Sequence, residues 1–304
     1  MHYDEYEIQD VERETRNAER ETRNAESGTK KEAPLLLIVE DNADLRLYIR
    51  GHLQPFYQII EAGDGEQGLE RAIEHIPDLI LTDVMMPRMD GFELCRNLKS
   101  DERTSHIPII LLTARAGTES RIEGLETGAD DFISKPFDSD ELLVRIKNLI
   151  AQRNRLQKRF LKNIVTLGIS PLLHLDTPDL TSMDHRFLQK AVKLVMDHMA
   201  DPEFNVDTFG ASISLSRRQL HRKLTALTGH PPSQFIRSLR LSRAAGLIAK
   251  KTGTITEIAY EVGFNNLSYF ARCFQEEFGC SPSEYANSKY HPDCHQDKSQ
   301  ANPN

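Results

Sequence analysis

The stretch that decides the fold class is Asp78-Leu79-Ile80-Leu81-Thr82-Asp83-Val84-Met85-Met86-Pro87. Its apolar middle has the length and continuity of a strand buried on both faces, and a carboxylate stands at its C-terminal end. Three other runs also end in reactive polar groups: Leu35 to Val39 in Glu40-Asp41, Pro108 to Leu112 in Thr113, and Asp131 to Ser134 in Lys135. Open parallel sheets gather ligand sites at the carboxyl ends of their strands. Folded that way, the chain brings Glu40, Asp41, Asp83, Thr113 and Lys135 into one pocket. Such a pocket offers a divalent-cation site, a nucleophilic oxygen and two phosphate contacts.

Outward from this stretch, residues 34–150 alternate strand and helix. Strands are expected near 35–40, 56–61, 78–83, 108–113 and 131–134, and amphipathic helices near 43–53, 65–75, 91–99, 119–126 and 139–154. Five βα units on one parallel sheet is the economical arrangement. Residues 1–33 form a charged leader, expected to be partly helical or disordered, with the heptapeptide Glu12-Arg13-Glu14-Thr15-Arg16-Asn17-Ala18 repeated at Glu19 to Ala25. Residues 151–183 read as the end of a helix and a linker, and 287–304 as a disordered tail. From Asp184 to Tyr285 helical periodicity dominates. A diverged repeat is visible there: Phe209, Gly210 and Ser214 correspond to Ile258, Ala259 and Gly263 at an offset of 49, and Leu220, Arg222, Leu224 and Gly229 to Phe270, Arg272, Phe274 and Gly279 at an offset of 50. Two helix-turn-helix units joined by a helix near 233–250 account for this.

At 304 residues two domains are expected. Their charges differ in sign. Residues 34–150 carry 12 Lys+Arg and 22 Asp+Glu, and residues 184–290 carry 14 and 10. The basic half suits a polyanion and the acidic half a metal ion. Cys95, Cys273, Cys280 and Cys294 lack CxxC spacing and read as reduced thiols. No apolar run approaches ~18 residues and the N-terminus is too charged for a secretory signal, so the expected location is the cytoplasm, without a membrane partner.

With these residues in hand, 34–150 resembles a response-regulator receiver domain. The matching marks are Ile38-Val39-Glu40-Asp41-Asn42, Asp83-Val84-Met85-Met86-Pro87 through Asp90-Gly91, Leu112-Thr113-Ala114 and Ser134-Lys135-Pro136-Phe137. The resemblance implies a flavodoxin-like, doubly wound (βα)5 domain with Asp83 as phosphoacceptor and Mg²⁺ (or Mn²⁺) as cofactor. Asp41 and Asp83 are the expected direct ligands, Glu40 acts through water, and the resemblance adds the backbone carbonyl of Met85. Lys135 and Thr113 contact phosphate, and Phe132, with Thr113, forms the switch; Lys135-Pro136 is a candidate cis peptide. The bland alternatives are a helix cap for Glu40-Asp41 and plain core for Phe132.

Residues 184–286 resemble the all-helical double helix-turn-helix domain of AraC-type transcription regulators. The carriers are Ser216 to Leu224 and the run Ile258 to Phe274, extended by Phe278-Gly279-Cys280-Ser281-Pro282-Ser283-Glu284-Tyr285. One departure is Ser214, where glycine is usual, which implies strain or a different turn. Ser216 caps the first recognition helix. Leu220 and Leu224 face inward, leaving Arg217, Arg218, Gln219, His221, Arg222 and Lys223 for DNA. In the second, Leu267, Phe270 and Phe274 face inward, leaving Asn265, Asn266, Ser268, Tyr269 and Arg272. Together the halves imply a response regulator: a histidine kinase phosphorylates Asp83, and the change is read at double-stranded promoter DNA, with a homodimer on DNA or on phosphorylation. The alternative is the output fragment of a hybrid sensor kinase whose kinase part is another chain. No kinase motif is visible, and Met85 replaces the second Asp of aspartyl-phosphate hydrolases, so no enzyme is expected.

Overall fold

The computed structural model describes residues 33–114, 127–167 and 182–287. The leader repeat, the helix expected near 119–126, residues 168–181 of the linker segment and nearly all of the tail lie outside the described residues.

Five strands, β1 (Leu35–Val39), β2 (Gln58–Ala62), β3 (Leu79–Asp83), β4 (Ile109–Thr113) and β5 (Asp131–Ser134), form one sheet in the order β2-β1-β3-β4-β5. Every pairing is parallel. Side chains alternate across a strand, so each face of the sheet collects its own core. Leu37, Val39, Ile80 and Leu111 pack under α2 (Gly65–His75) and α3 (Gly91–Ser100). Leu36, Ile38, Leu81 and Leu112 pack under α1 (Ala43–Leu53) and the start of α4 (Ser139–Leu167). This is the doubly wound arrangement. β2 begins later than expected because Phe56 lies in the turn after α1, its amide donating to the Leu53 carbonyl at 3.0 Å.

The sequence reading ends α4 near residue 154, but the helix continues to Leu167. The basic run Arg153, Arg155, Lys158 and Arg159 consists of strong helix formers, and no Gly or Pro intervenes before Gly168. α4 is therefore a rod of about 43 Å.

Beyond it come α5 (Ser182–Asp197), α6 (Val206–Ile213), α7 (Arg217–Thr228), α8 (Pro232–Ala249), α9 (Ile255–Glu261), α10 (Leu267–Phe278) and α11 (Pro282–Asn287). The two halves of α8 serve two cores. Phe235, Ile236 and Leu239 join Phe187, Phe209, Leu220 and Leu224, whereas Leu241, Ala244 and Leu247 join Ile258, Phe270 and Phe274. The internal repeat is thus two helix pairs, α6–α7 and α9–α10, strung on α8. Ser216 with Gln219 and Thr254 with Glu257 make reciprocal capping boxes. α7 and α10 both end in left-handed glycines, Gly229 and Gly279.

The turns between paired helices differ. Gly263 has φ 81°, and a side chain there would meet the Met199 carbonyl and the Arg240 guanidinium. Ser214 has φ 62° and ψ 34°, so a serine occupies the left-handed region that glycine reaches without steric cost. That conformation costs an L-residue roughly 1–2 kcal/mol, partly offset by the greater freedom glycine loses on folding. Ser214→Gly should raise the stability of the helical half by about 0.5–1 kcal/mol, read as a higher urea midpoint. An unchanged or lowered midpoint would show that the turn carries no strain.

Candidate functional site

β1, β3, β4 and β5 end side by side, and their last residues deliver the predicted polar groups to one place. Glu40 follows β1 directly and is only 1% exposed. Its amide donates to the Ala62 carbonyl at 3.1 Å, and its own carbonyl accepts from Arg46 Nη1 at 2.5 Å. Asp83 closes β3; Thr82 Oγ1 donates to the Asp83 carbonyl at 3.0 Å. Thr113 ends β4, buried, and its carbonyl accepts from the Lys135 amide at 2.7 Å. The Lys135-Pro136 peptide is cis.

Lys135 Nζ lies 2.9 Å from Glu40 Oε2 and 3.0 Å from Asp83 Oδ1. Glu40, Asp41 and Asp83 each offer an oxygen within 4.8 Å of the others. Asp41 is exposed, so the group opens to solvent on that side. The helix cap is made by a different residue: Asn42 Oδ1 accepts from the amides of Asp44 and Leu45 at 3.0 Å each. Glu40 and Asp41 are thereby left to the pocket. Burial raises the pKa of Glu40, and the Asp83 charge adds to the rise; Lys135 opposes both. For Lys135, burial pulls downward, but hydrogen bonds and attraction from Glu40 and Asp83 outweigh it and hold the pKa above its ordinary value. Three hard oxygens within 4.8 Å of one another make a set that a divalent oxygen-seeking cation fits. Met85 stands exposed in the loop after β3. Phe132, on β5, is half-buried against the α2–α3 core.

The predicted DNA-facing residues divide into two groups. On α7, Ser216 is the N-cap and its Oγ accepts from the Gln219 amide. Arg217 reaches exposed Asp207 at 3.4 Å, and His221 is exposed. The others meet the α/β domain. Arg218 Nη2 is 3.4 Å from His75 Nδ1. Gln219 Nε2 donates to the Ile73 carbonyl at 3.5 Å, and Arg222 Nη1 to that of Ile76 at 3.0 Å.

Lys223 corrects the expectation that it faces solvent or DNA: it is fully buried. Its Nζ donates to Asp184 Oδ1 at 3.0 Å, to Ser105 Oγ at 3.2 Å and to the Glu102 carbonyl, and lies 4.6 Å from the centre of the Phe187 ring. The sequence did hold a signal. Leu220, Lys223, Leu224 and Leu227 occupy one helical stripe, and a lysine in an apolar stripe marks a buried, partnered cation. Asp184 and Ser105, its partners, carry no such signal.

On α10, Asn266 is the N-cap, accepting from the Tyr269 amide at 2.9 Å. Asn265, Asn266, Ser268 and Arg272 are exposed. Tyr269 is half-buried, its hydroxyl accepting from Arg237 Nη1 at 3.3 Å. Leu267 is a second correction: expected in the core, it is 40% exposed. It is the first residue of α10, and a helical side chain leans toward the preceding turn, which is missing there.

Residues 36–147 match the family model described as response regulator receiver domain, and residues 210–288 match a helix-turn-helix domain model. Over 261 residues the chain is 42% identical to histidine kinase P4 of Formosa agariphila, covering 85% of this chain and 18% of that protein. Over 124 residues it is 38% identical to the DNA-binding dual master transcriptional regulator RpaA of a Synechocystis strain, covering 40% of this chain and 52% of that one. The solved Francisella response regulator 1452 receiver domain is 32% identical over 39% of this chain and 98% of its own, with a TM-score of 0.37. The chain therefore joins a response-regulator receiver domain to a helix-turn-helix domain of the AraC type. Among the described residues no helix is long and apolar enough to cross a membrane.

The Lys135–Asp83 contact makes a thermodynamic prediction. Lys135→Met leaves buried Glu40 and Asp83 facing each other, a loss of about 3 kcal/mol. Adding Asp83→Asn removes one of the repelling charges. A double-mutant cycle in urea should therefore show coupling of about 1 kcal/mol or more; additivity would show that the ion pair is energetically idle.

Proposed function

We propose that the chain is a two-component response regulator, phosphorylated on Asp83 by a histidine kinase and reading promoter DNA through its helical half. The observation that carries this is the placement of Asp83: a carboxylate at a strand end, 3.0 Å from an ammonium and grouped with two further carboxylates. In the transfer, a carboxylate oxygen of Asp83 attacks phosphorus while the phosphorus–nitrogen bond of a phosphohistidine breaks. The imidazole nitrogen leaves with the bonding pair, and Asp83 becomes an acyl phosphate. Lys135 contacts one phosphoryl oxygen and Thr113 donates its hydroxyl hydrogen to another. Asp41, Asp83 and the Met85 carbonyl would hold Mg²⁺ or Mn²⁺, with Glu40 acting through water. The ion supplies neutralisation of the charge on the transferring group. As Thr113 turns toward the phosphoryl group, Phe132 moves into the space it vacates.

For the helical half, the support is the paired helix-turn-helix layout on α8, its basic balance, and the exposed polar N-terminal residues of α10. Two recognition helices fixed on one helix address successive major grooves, ~10 bp apart on one DNA face. Two protomers on repeated sites extend that reach. This reading places the protein in the cytoplasm and gives the receiver no turnover chemistry beyond its own phosphorylation.

Two measurements test it. Wild-type protein given acetyl phosphate with Mg²⁺ should gain one base-labile phosphoryl group per chain, and Asp83→Asn none; equal labelling of the variant would sink the assignment. Arg272→Ala should weaken binding to a selected duplex across sequences and lower the salt slope by about 1. If affinity and slope are both unchanged, α10 is not a DNA-contacting helix.

A further inference from the structure

We propose that the receiver clasps the first recognition helix, α7, at both ends, so that the closed chain presents only α10 to DNA. The proposal rests on the DNA-binding reading above.

The first half of the clasp is at the N-terminal part of α7. Its Arg218, Gln219 and Arg222 meet His75, Ile73 and Ile76 at the end of receiver helix α2. A major groove needs these same side chains, so the two engagements exclude each other. Lys223 sits deeper, between the domains. Asp184 supplies its counter-charge from the helical half, while Ser105 Oγ and the Glu102 carbonyl supply the remaining acceptors from the receiver. An ammonium has three protons to donate, and this cage takes all three.

The second half is at the C-terminal end. The last carbonyls of a helix lack intrahelical partners. In α7 the Ala226 carbonyl accepts from Arg153 Nε at 3.2 Å and from Gln157 Nε2 at 2.8 Å, and the Thr225 carbonyl, which also accepts the Gly229 amide at 2.8 Å, accepts from Gln157 Nε2 at 3.0 Å. Both donors belong to α4, the helix that leaves the receiver. Arg153 also donates through Nη1 to the Asp78 carbonyl at 3.1 Å, which ties the same side chain to the entrance of β3. A cation at a helix C-terminus is favourably placed against the helix dipole. The counterpart helix α10 differs: Asn266, Ser268 and Arg272 stand exposed.

Closure is weakly biased by its own chemistry. Burying an ammonium with its counter-charge comes near to cancelling against desolvation. A clasp of that kind opens under a modest difference in affinity between the two states, such as an acyl phosphate or a DNA groove supplies.

The test uses the full, unphosphorylated chain. Ser105→Arg sets a second cation beside Lys223 from the receiver side, and the pair Arg153→Ala with Gln157→Ala removes the donors to α7 without entering the receiver core. Lysine acylation followed by mass spectrometry should show Lys223 at least tenfold slower than exposed Lys193 in the wild type, and comparable to it in both variants. If neither variant changes the Lys223 rate, the clasp does not exist. On a selected duplex, hydroxyl-radical footprints of the variants should be longer than the wild-type footprint by about one helical turn, ~10 bp. Equal footprints would overturn the single-helix presentation. A chain that binds no DNA while Lys223 behaves as expected fails the DNA-binding reading and leaves the clasp standing.

Discussion

One ammonium holds the acidic end of the sheet together. Lys135 Nζ is 2.9 Å from Glu40 and 3.0 Å from Asp83, and these carboxylates end neighbouring strands. Without a cation between them, the parallel register that aligns β1 with β3 would press two buried negative charges together. Burial, with the Asp83 charge, raises the Glu40 pKa, and the hydrogen bond and charge of Lys135 act against that rise.

α4 turns this local chemistry into a structural connection. It starts four residues after Lys135, packs Leu142 and Ile146 onto the sheet, and ties to the start of β5 through Arg145 and Asp131 at 2.9 Å. Further along, Arg153 and Gln157 hold the end of α7. The clasp contacts lie near the N-terminal ends of β3 and β4, at the opposite edge of the sheet from Asp83. α4 reaches both the sheet and α7, and so does α2, whose Ala72 packs on the sheet and whose C-terminal end meets Arg218, Gln219 and Arg222.

The receiver was legible because four of its strands, β1, β3, β4 and β5, end in polar residues at one edge of the sheet. Those ends located Glu40, Asp41, Asp83, Thr113 and Lys135 before any packing was known. The paired helical units were legible for a similar reason, as Gly229 and Gly279 recur with the aligned core residues. What escaped involves contacts between segments distant in sequence. Ser105 is an ordinary loop serine until Lys223 reaches it from 118 positions away. The far end of α4 was legible only as a helix end somewhere in 151–183, because the basic run carries no stop signal of its own before Gly168. Leu267 follows helical periodicity faithfully, yet periodicity does not register that a first-turn side chain has no earlier turn to pack against.

The two helix-turn-helix units are diverged repeats of one layout and carry opposite kinds of constraint. The second has the glycine its turn geometry favours, and its recognition helix displays polar residues to solvent. The first holds Ser214 in a left-handed conformation and buries a lysine that plain amphipathicity would have left outside. Neither feature improves the fold of that unit taken alone. Both become intelligible if α7 answers to two partners, the receiver in one state and a polyanion in the other. A surface selected for two mutually exclusive partners is optimal for neither, and compromise of this kind is expected where stability is traded for a switch.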